Sequence, residues 1–506
     1  MPAEIELKLA IDPKHAVRVA SLPALQARAG RPTTQKLTSI YFDTPENALL
    51  RDGWALRLRR AGRAWVQTLK GEGHAAGGLH AREESEHAIA TSELDLYRVE
   101  SGELRKRLLK WRNAGTLVPR FRTEFRRTAW LVEMPGGDRV ECALDRGVVR
   151  TQDGKRSEPI CEIELELKQG NAGALFELAR ELARHLPYEL EDRSKADRGY
   201  ALAGGTVAAV AAAPVLRLAR DARGGDAFAA ILGSSLAHLH HNRRLMLAAR
   251  RYDPEHVHQM RVALRRMRTA IGVFGRLDAG LKSLPLIDEL RWLRGLLGEA
   301  RDWDVFLGEA LPAARRAFAG APAMPRLTRR AAGERRQARE RAGEALASAR
   351  YRDLLLSVGE LAAQAGERES LAGPLVPFAA RLLTRRHRRL RALADAPAAQ
   401  DAQTRHAFRI ATKKLRYSAE YFAPLFGGAR SERFLRELRA VQDTLGALND
   451  LATARALLAK LGLPQDASMM HLQGLLAGWW MAREDACVQE LAKCWKDVKR
   501  TRAFWE

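Results

Sequence analysis

Carboxylates and cations at alternate positions along short apolar runs are the part of this chain best equipped to do chemistry. The first run is Glu4-Ile5-Glu6-Leu7-Lys8 and the last is Glu162-Ile163-Glu164-Leu165-Glu166-Leu167-Lys168; Arg57-Leu58-Arg59 and Arg82, Glu84 and Glu86 lie between them. On a strand, successive side chains point to opposite faces, so each run puts charge on one face and aliphatics on the other. A solvated sheet face carries sparse, mixed charge. Here nearly every polar-face position is charged, and carboxylate strands alternate with cationic ones. That suits a cavity holding a metal and a polyanion together. Phosphoanhydride hydrolysis needs both, because cations must neutralise phosphate oxygens while a metal polarises the transferred group and positions water. Mg²⁺ and Mn²⁺ prefer carboxylate oxygens, and Glu4, Glu6, Glu162 and Glu164 would supply them. Arg57, Arg59 and Lys70 would supply cations. No side chain stands out as a dedicated general base.

These residues need a scaffold. Period-two runs are predicted at Glu4–Ala10, Leu37–Phe42, Ala55–Arg60, Trp65–Lys70, Arg82–Ile89, Arg120–Glu133, Arg139–Val149 and Ile160–Lys168, separated by turns such as Pro135-Gly136-Gly137. Helical patterns cover Asp12–Leu22 and Gly173–His185. Eight strands with one charged face predict a closed antiparallel barrel with a polar interior and flanking helices. Gly71, Gly73, Gly77 and Gly78 look like a flexible loop rather than a phosphate cradle, since no Gly-Lys-Ser/Thr follows. Residues 204–215 read as a low-complexity linker. Beyond them the chain is rich in Arg, Ala and Leu and reads as an all-α bundle. The expected organisation is therefore an α+β multidomain chain, with domains at 1–203 and 216–506.

The ordered set Glu4-x-Glu6-x-Lys8, Tyr41-Phe42-Asp43-Thr44-Pro45, Ala55-Leu56-Arg57-Leu58-Arg59, Thr68-Leu69-Lys70, Glu162-Ile163-Glu164-Leu165 and Ser194-Lys195-Ala196-Asp197-Arg198-Gly199-Tyr200 resembles the CYTH family of triphosphate tunnel metalloenzymes. The resemblance implies an eight-stranded tunnel, a divalent metal and a triphosphate substrate. It implies Glu4, Glu6, Asp145, Glu162 and Glu164 as metal residues, Lys8, Arg57, Arg59, Lys70 and Lys195 as phosphate grips, and Glu84 and Glu86 as acidic tunnel residues. On the long sixth strand Arg120, Arg122, Arg126 and Arg127 compete for a basic pair; the choice is Arg122 with Arg126 or Arg127.

The helical part repeats itself at an offset of 148 residues. His258, Arg261, Arg265, Arg266 and Arg268 match His406, Arg409, Lys413, Lys414 and Arg416; Phe274 matches Phe422, Leu297-Gly298 matches Leu445-Gly446, and Asp302 matches Asp450. A pseudo-twofold bundle is expected, its repeats centred on 258–302 and 406–450. Spacings of 3, 4 and 3 put a histidine and three cations on one helix face. Such a stripe repels itself unless an anion compensates, and Asp302 and Asp450 are possible internal partners. Further basic clusters stand at His238–Arg244 and Arg385–Arg389, and Arg326–Arg350 is a basic helix whose simplest reading is a solvated face. The repeated pattern resembles the CHAD domain, a basic helical bundle implicated in binding inorganic polyphosphate. That implies the ten matched residues as its polyphosphate site.

Charge is spread unevenly. Of the net +24 on 506 residues, residues 1–203 carry 34 Lys and Arg against 30 Asp and Glu, and the remainder 51 against 31. Only the second part favours polyanions by its field. Four cysteines without a Cys-x-x-Cys pair argue against a zinc site or a disulfide framework. No apolar run approaches the roughly 20 residues of a membrane span. A cytoplasmic location is expected, polyphosphate granules included. The expected activity is metal-dependent hydrolysis of inorganic triphosphate to pyrophosphate and phosphate. Rivals are an adenylate cyclase or thiamine triphosphatase on the same fold, and a non-catalytic scaffold for polyphosphate or nucleic acid. The basic stripes hold few aromatics for base stacking, which makes nucleic acid the weaker partner. Replacing Glu4 and Glu6 by Gln is expected to leave stability intact, because clustered carboxylates repel one another.

Overall fold

The computed structural model describes residues 4–204, 210–393, 402–464 and 466–506; the side chains at 4, 72–75, 81–83 and 402 lie outside it, as does 205–209 of the expected linker. The chain divides into two compact units, one of residues Met1–Ala209 with Leu355–Gln364, the other of Val210–Leu354 with Ala365–Glu506.

The first unit is a curled antiparallel sheet of β1 (Glu4–Ile11), β2 (Thr33–Asp43), β3 (Ala55–Ala61), β4 (Ala64–Ala76), β5 (Leu79–Ile89), β6 (Val118–Glu133), β7 (Arg139–Thr151), β8 (Ser157–Gln169) and β9 (Tyr188–Leu190). Their order is β5-β4-β3-β2-β6-β7-β8-β1-β9, and β5 also pairs with β1, with Leu7 opposite Leu79. The ninth strand, only three residues long, is absent from the sequence reading because three residues show no alternation. The expected glycine loop is different too. Strand β4 runs on to Ala76, and Gly77-Gly78, both at positive φ, make a two-residue hairpin turn into β5.

Residues opposite one another across a sheet share a face. Arg57 stands opposite Tyr41 and Thr68, and Thr68 opposite Glu86. Arg127 stands opposite Asp145, and Asp145 opposite Glu162; Glu164 stands opposite Lys8. These charged rows therefore fall on one face, the concave one. Behind β3 and β4 the other face is aliphatic and covered by helices, whereas on β6 it carries Arg122, Glu124 and Arg126. Leu56 and Leu69 pack with Leu104 and Leu108 of the helix Gly102–Asn113, and the helix Gly173–Ala183 buries Leu175, Leu178 and Leu182. Each such leucine contributes about 1.5–3 kcal/mol of burial, so the wall is held from outside while its inside stays polar.

The helix Lys195–Gly204 packs on the inner face, where Ala196 and Tyr200 join Tyr41, Phe121 and Phe125. Gly199 permits this approach, since a Cβ there would sit 2.1 Å from the Phe121 ring.

The second unit is helical. Its elements include Gly224–Ala248, Pro254–Phe274, Leu286–Val305, Met324–Leu346, Leu375–Ala392, Ala402–Phe426, Gly428–Lys460 and Ala467–Arg500. Phe274 contacts Phe228, Phe378 and Phe422 at ring-centroid distances of 5.0, 5.8 and 6.5 Å. Among the described residues no helix is long and apolar enough to cross a membrane.

Candidate active site and a second basic cavity

The inner face of the sheet encloses a cavity of about 580 Å³, lined by Glu6, Lys8, Arg57, Arg59, Lys70, Glu84, Glu86, Arg127, Glu164 and Lys195 among others. Its charges are paired. The Lys8 ammonium lies 2.9 Å from Glu6 and also donates to Glu164. Arg57 lies 3.1 Å from both Glu84 and Glu86, and Lys70 lies 2.6 Å from Glu84. Arg127 donates to both oxygens of Asp145 at 2.8 and 2.7 Å and also to Glu164.

The buried Lys195 ammonium stands among three carboxylates. It meets Asp145 at 2.7 Å, Glu162 at 2.5 Å and Glu164 at 2.9 Å. Those three carboxylates are buried, and each offers an oxygen within 4.8 Å of the others. Hard carboxylate oxygens at that spacing suit a Mg²⁺- or Mn²⁺-sized cation.

Burial alone would push these carboxylates toward their neutral forms. At Glu164 that push is outweighed by Lys195, Lys8 and Arg127, which hold it well below the usual carboxylate range. Burial would likewise lower the Lys8 and Lys195 ammonium groups, but their acidic neighbours raise both. Arg59 differs. Among the described residues it makes no ion pair, and burial and then Arg57 lower it to about 10.

The second unit has its own cavity, of about 650 Å³. It is lined by Arg261, Arg265, Arg268, Arg276, Arg294, Arg385, Arg386, Arg389, Lys413 and Lys414, with no acidic residue among the lining. Burial lowers Lys413 to about 8, with Arg409 and Arg265 adding to the effect. Arg386 falls to about 10, through burial and Arg276.

The CYTH domain family matches residues 2–200 and the CHAD domain family residues 230–459. The CHAD domain structure from the plant Ricinus communis is 32% identical, at a TM-score of 0.52, over 58% of this chain and 98% of that one. The chain belongs to the CYTH and CHAD families. An inorganic triphosphatase of Haemophilus influenzae is 35% identical over 205 residues. That match spans 40% of this chain and 55% of the relative, so about half of the relative's length is covered. HpAC1 of Hippeastrum, a protein with a dominant triphosphatase activity, is 22% identical over 40% of this chain and 97% of its own, at a TM-score of 0.30.

Within the CYTH domain most of the anticipated residues converge. Lys8, Arg57, Arg59, Lys70, Lys195, Glu6, Glu164, Glu84 and Glu86 line the cavity, and Asp145 and Glu162 reach Lys195 beneath it. The Glu4 side chain lies outside the described residues. The sixth strand corrects the anticipated arginine pair. Thr123, Phe125 and Arg127 share the inward parity; Arg122 and Arg126 take the other, Arg122 beside Glu124 and Arg126 exposed. Only Arg127 of the four lines the cavity. One contributor was missed. Arg198 binds Glu162 at 3.0 Å and Glu158 at 2.8 Å, and its position within Ser194–Tyr200 was the available signal.

Within the CHAD domain, Arg261, Arg265 and Arg268 meet Lys413 and Lys414 across one cavity. The other anticipated residues lie elsewhere. Arg266 stacks over Tyr421, and Arg416 is neutralised by Glu420 and donates to Gln442. His406 is exposed, and His258 and Arg409 are half-buried. Among the described residues Asp302 and Asp450 make no ion pair with the stripes; burial raises both.

Proposed function

We propose that the CYTH domain hydrolyses inorganic triphosphate to pyrophosphate and phosphate with a divalent metal, and that the CHAD domain binds inorganic polyphosphate. The observation that carries the first half is the interior of the sheet. Lys8, Arg57, Arg59, Lys70, Arg127 and Lys195 face one cavity from four strands and a helix, beside a carboxylate cluster. A phosphoanhydride chain laid there would meet fixed cations along its length, which is how catalysts of phosphoryl transfer stabilise spread charge. Arg59 is the cation best placed to take a phosphate oxygen, since among the described residues no carboxylate lies within ion-pair distance of it, although Glu86 is near enough to favour its charge.

The donor set fits a hard divalent metal. Asp145, Glu162 and Glu164 would hold it, with Glu6 at the cavity wall, and all four are carboxylates. Once bound it would supply Lewis acidity and a more acidic water. Arg127, with two bonds to Asp145, and Arg198, on Glu162, would keep two of the ligands oriented.

The second half rests on the ten cations of the helical cavity, whose lining holds no acidic residue. A polyphosphate chain would relieve their repulsion. We also read the bundle as a duplicated half, supported by the contact of the matched residues Phe274 and Phe422. A cytoplasmic location fits such substrates.

The deciding experiment is a phosphate-release screen over triphosphate, ATP, thiamine triphosphate and long-chain polyphosphate, with Mg²⁺, Mn²⁺ or EDTA. Triphosphate should lead, and EDTA should stop it. Cyclic AMP as the main product from ATP would move the assignment to a cyclase, and metal-independent turnover would overturn the mechanism.

A further inference from the structure

Lys195 is anticipated as a phosphate grip, yet its ammonium sits elsewhere. An ammonium has three N–H donors, and here all three have carboxylate acceptors: Asp145 at 2.7 Å, Glu162 at 2.5 Å and Glu164 at 2.9 Å. These are the same three side chains whose oxygens lie within 4.8 Å of one another. The ammonium occupies the point on which those carboxylates converge. A cation coordinated by the same oxygens at about 2.1 Å would lie within roughly 3 Å of that nitrogen. The two positive charges cannot share the site.

We propose that Lys195 is an internal counter-ion that a divalent metal must displace, and that the displaced ammonium becomes a ligand of the incoming polyphosphate. The inference rests on the metal-dependent reading above and adds a coupling to it.

Lys195 is the cation suited to move. Arg127 grips Asp145 through two parallel bonds, a geometry that an arginine fork holds rigidly, and Arg198 bridges Glu158 and Glu162. Lys195 is a point charge on a four-carbon stem at the start of its helix, with the Phe125 ring centroid 4.9 Å from its ammonium and no fork geometry to hold it. It lines the cavity, so a rotated ammonium enters the space a phosphate chain would fill. Around the three convergent carboxylates each acid has a cation partner, Arg198 being shared with Glu158. Glu6, Asp145, Glu162 and Glu164 face Lys8, Arg127, Lys195 and Arg198. A divalent cation added without moving a lysine would upset that pairing, whereas one exchanged for a lysine that then pairs with phosphate would not. Metal and phosphate should therefore each tighten the other's binding, by the same factor.

The test uses the full chain without substrate. Mn²⁺ is titrated calorimetrically into the wild type, Lys195→Met and Arg198→Met, each checked for folding by circular dichroism. Melting temperatures are measured with and without Mg²⁺. Lys195→Met should bind Mn²⁺ at least tenfold more tightly than wild type and gain more melting temperature from Mg²⁺. Arg198→Met, which removes one positive charge from the same cluster but vacates no shared position, should tighten binding less. If Lys195→Met does not fold, Lys195→Gln keeps a donor to the carboxylates without the charge and should show the same direction. Wild-type affinity in the Lys195 variants, or equal tightening in Arg198→Met, would overturn displacement while leaving the metal reading intact. Absence of Mn²⁺ binding in every protein would overturn the metal reading itself, and this inference with it.

Discussion

The two cavities are of similar size and both are crowded with cations, but only one of them is balanced. In the CYTH domain Lys8, Arg57, Lys70, Arg127 and Lys195 each have a carboxylate within ion-pair distance. In the CHAD domain ten lining cations face one another without an acid among them. Burial acts in the same direction at both sites, disfavouring charge. The outcomes are opposite because of the neighbours. Acidic partners raise Lys8 and Lys195, whereas basic ones help to bring Lys413 down to about 8. A balanced interior can be stable while empty and can hold its groups in fixed positions, which is what chemistry requires. An unbalanced one stores repulsion that an arriving polyanion releases, which favours binding.

The comparison breaks most visibly at Glu164. Glu164→Gln takes one acid from Lys8, Arg127 and Lys195 together. Triphosphate turnover should fall by about 10³-fold, the scale of losing one group that positions transition-state charge. Stability should fall too, by about 3–5 kcal/mol, the usual cost of breaking one side of a buried ion pair. The wild-type contribution of Glu164 has a defined pH window. Its folded pKa lies well below 4.5, so the stability it adds is present above that value and lost as pH falls below it. Turnover and chemical unfolding would check both effects. Glu6 is likewise paired with Lys8, so Glu4→Gln with Glu6→Gln, expected from repulsion alone to leave stability intact, is now expected to cost some stability as well. A stable Glu164→Gln would mean the balance is not structural.

The second break is in the CHAD cavity. Losing Arg261, Arg265 and Lys413 together should weaken binding of long-chain polyphosphate about 100-fold at 50 mM salt, and the remaining affinity should depend less steeply on salt. Losing Arg326, Arg341 and Arg350 should change it less than twofold. Those three are paired with Asp466, Glu299 and Glu289, as a solvated face would be. Filter binding across a salt series would separate the two sets. Equal losses would show that net charge, not the cavity, holds the ligand.

How much of this was legible beforehand follows from the physics of each element. Period-two alternation survives in any strand long enough to show it, so the charged rows of β1, β3 and β8 could be read directly. The sixth strand could not. Arginines at both parities carry no signal about which face is inward, and only the shared parity of Phe125 and Arg127 resolves it. In the helical unit the spacing correctly grouped Arg261, Arg265 and Arg268. It could not reveal that Arg416 is neutralised by Glu420, because that depends on which rotamers meet. The contribution of Arg276 and Arg294 to the same cavity comes from tertiary packing alone.

Arg59 sharpens the comparison within the tunnel, since it is the CYTH cation that most resembles the CHAD ones. Arg57→Met would remove the ion pair to Glu86 and one of the two to Glu84, which keeps Lys70, and should destabilise the protein, whereas Arg59→Met should leave stability unchanged or slightly raised. Both should raise the KM for triphosphate, by about tenfold for Arg59. A large stability loss in Arg59→Met would show that it has a structural partner after all.

The smallest effect is the most specific. Lys413 ordinarily titrates near 10.5, and burial, Arg409, Arg265 and Arg261 lower it to about 8, with Asp450 pulling the other way. Near pH 8 about half of the unliganded molecules would therefore carry it neutral. A bound polyanion favours the ammonium and raises this pKa, so binding takes up protons between the free and bound values. Affinity for polyphosphate should then fall as pH rises from 7 to 9, by up to about tenfold, since one pKa unit corresponds to a factor of ten. Arg386, lowered only to about 10, stays charged across this range and cannot supply the effect. Lys413→Arg should flatten the profile, because a guanidinium holds its proton throughout. Titration calorimetry in buffers of different ionisation enthalpy would count the protons directly. About half a proton taken up at pH 8 by the wild type, and almost none by Lys413→Arg, is the expected result. A wild type that binds tightly without proton uptake would mean that Lys413 is already compensated, and that the CHAD cavity is less unbalanced than its lining implies.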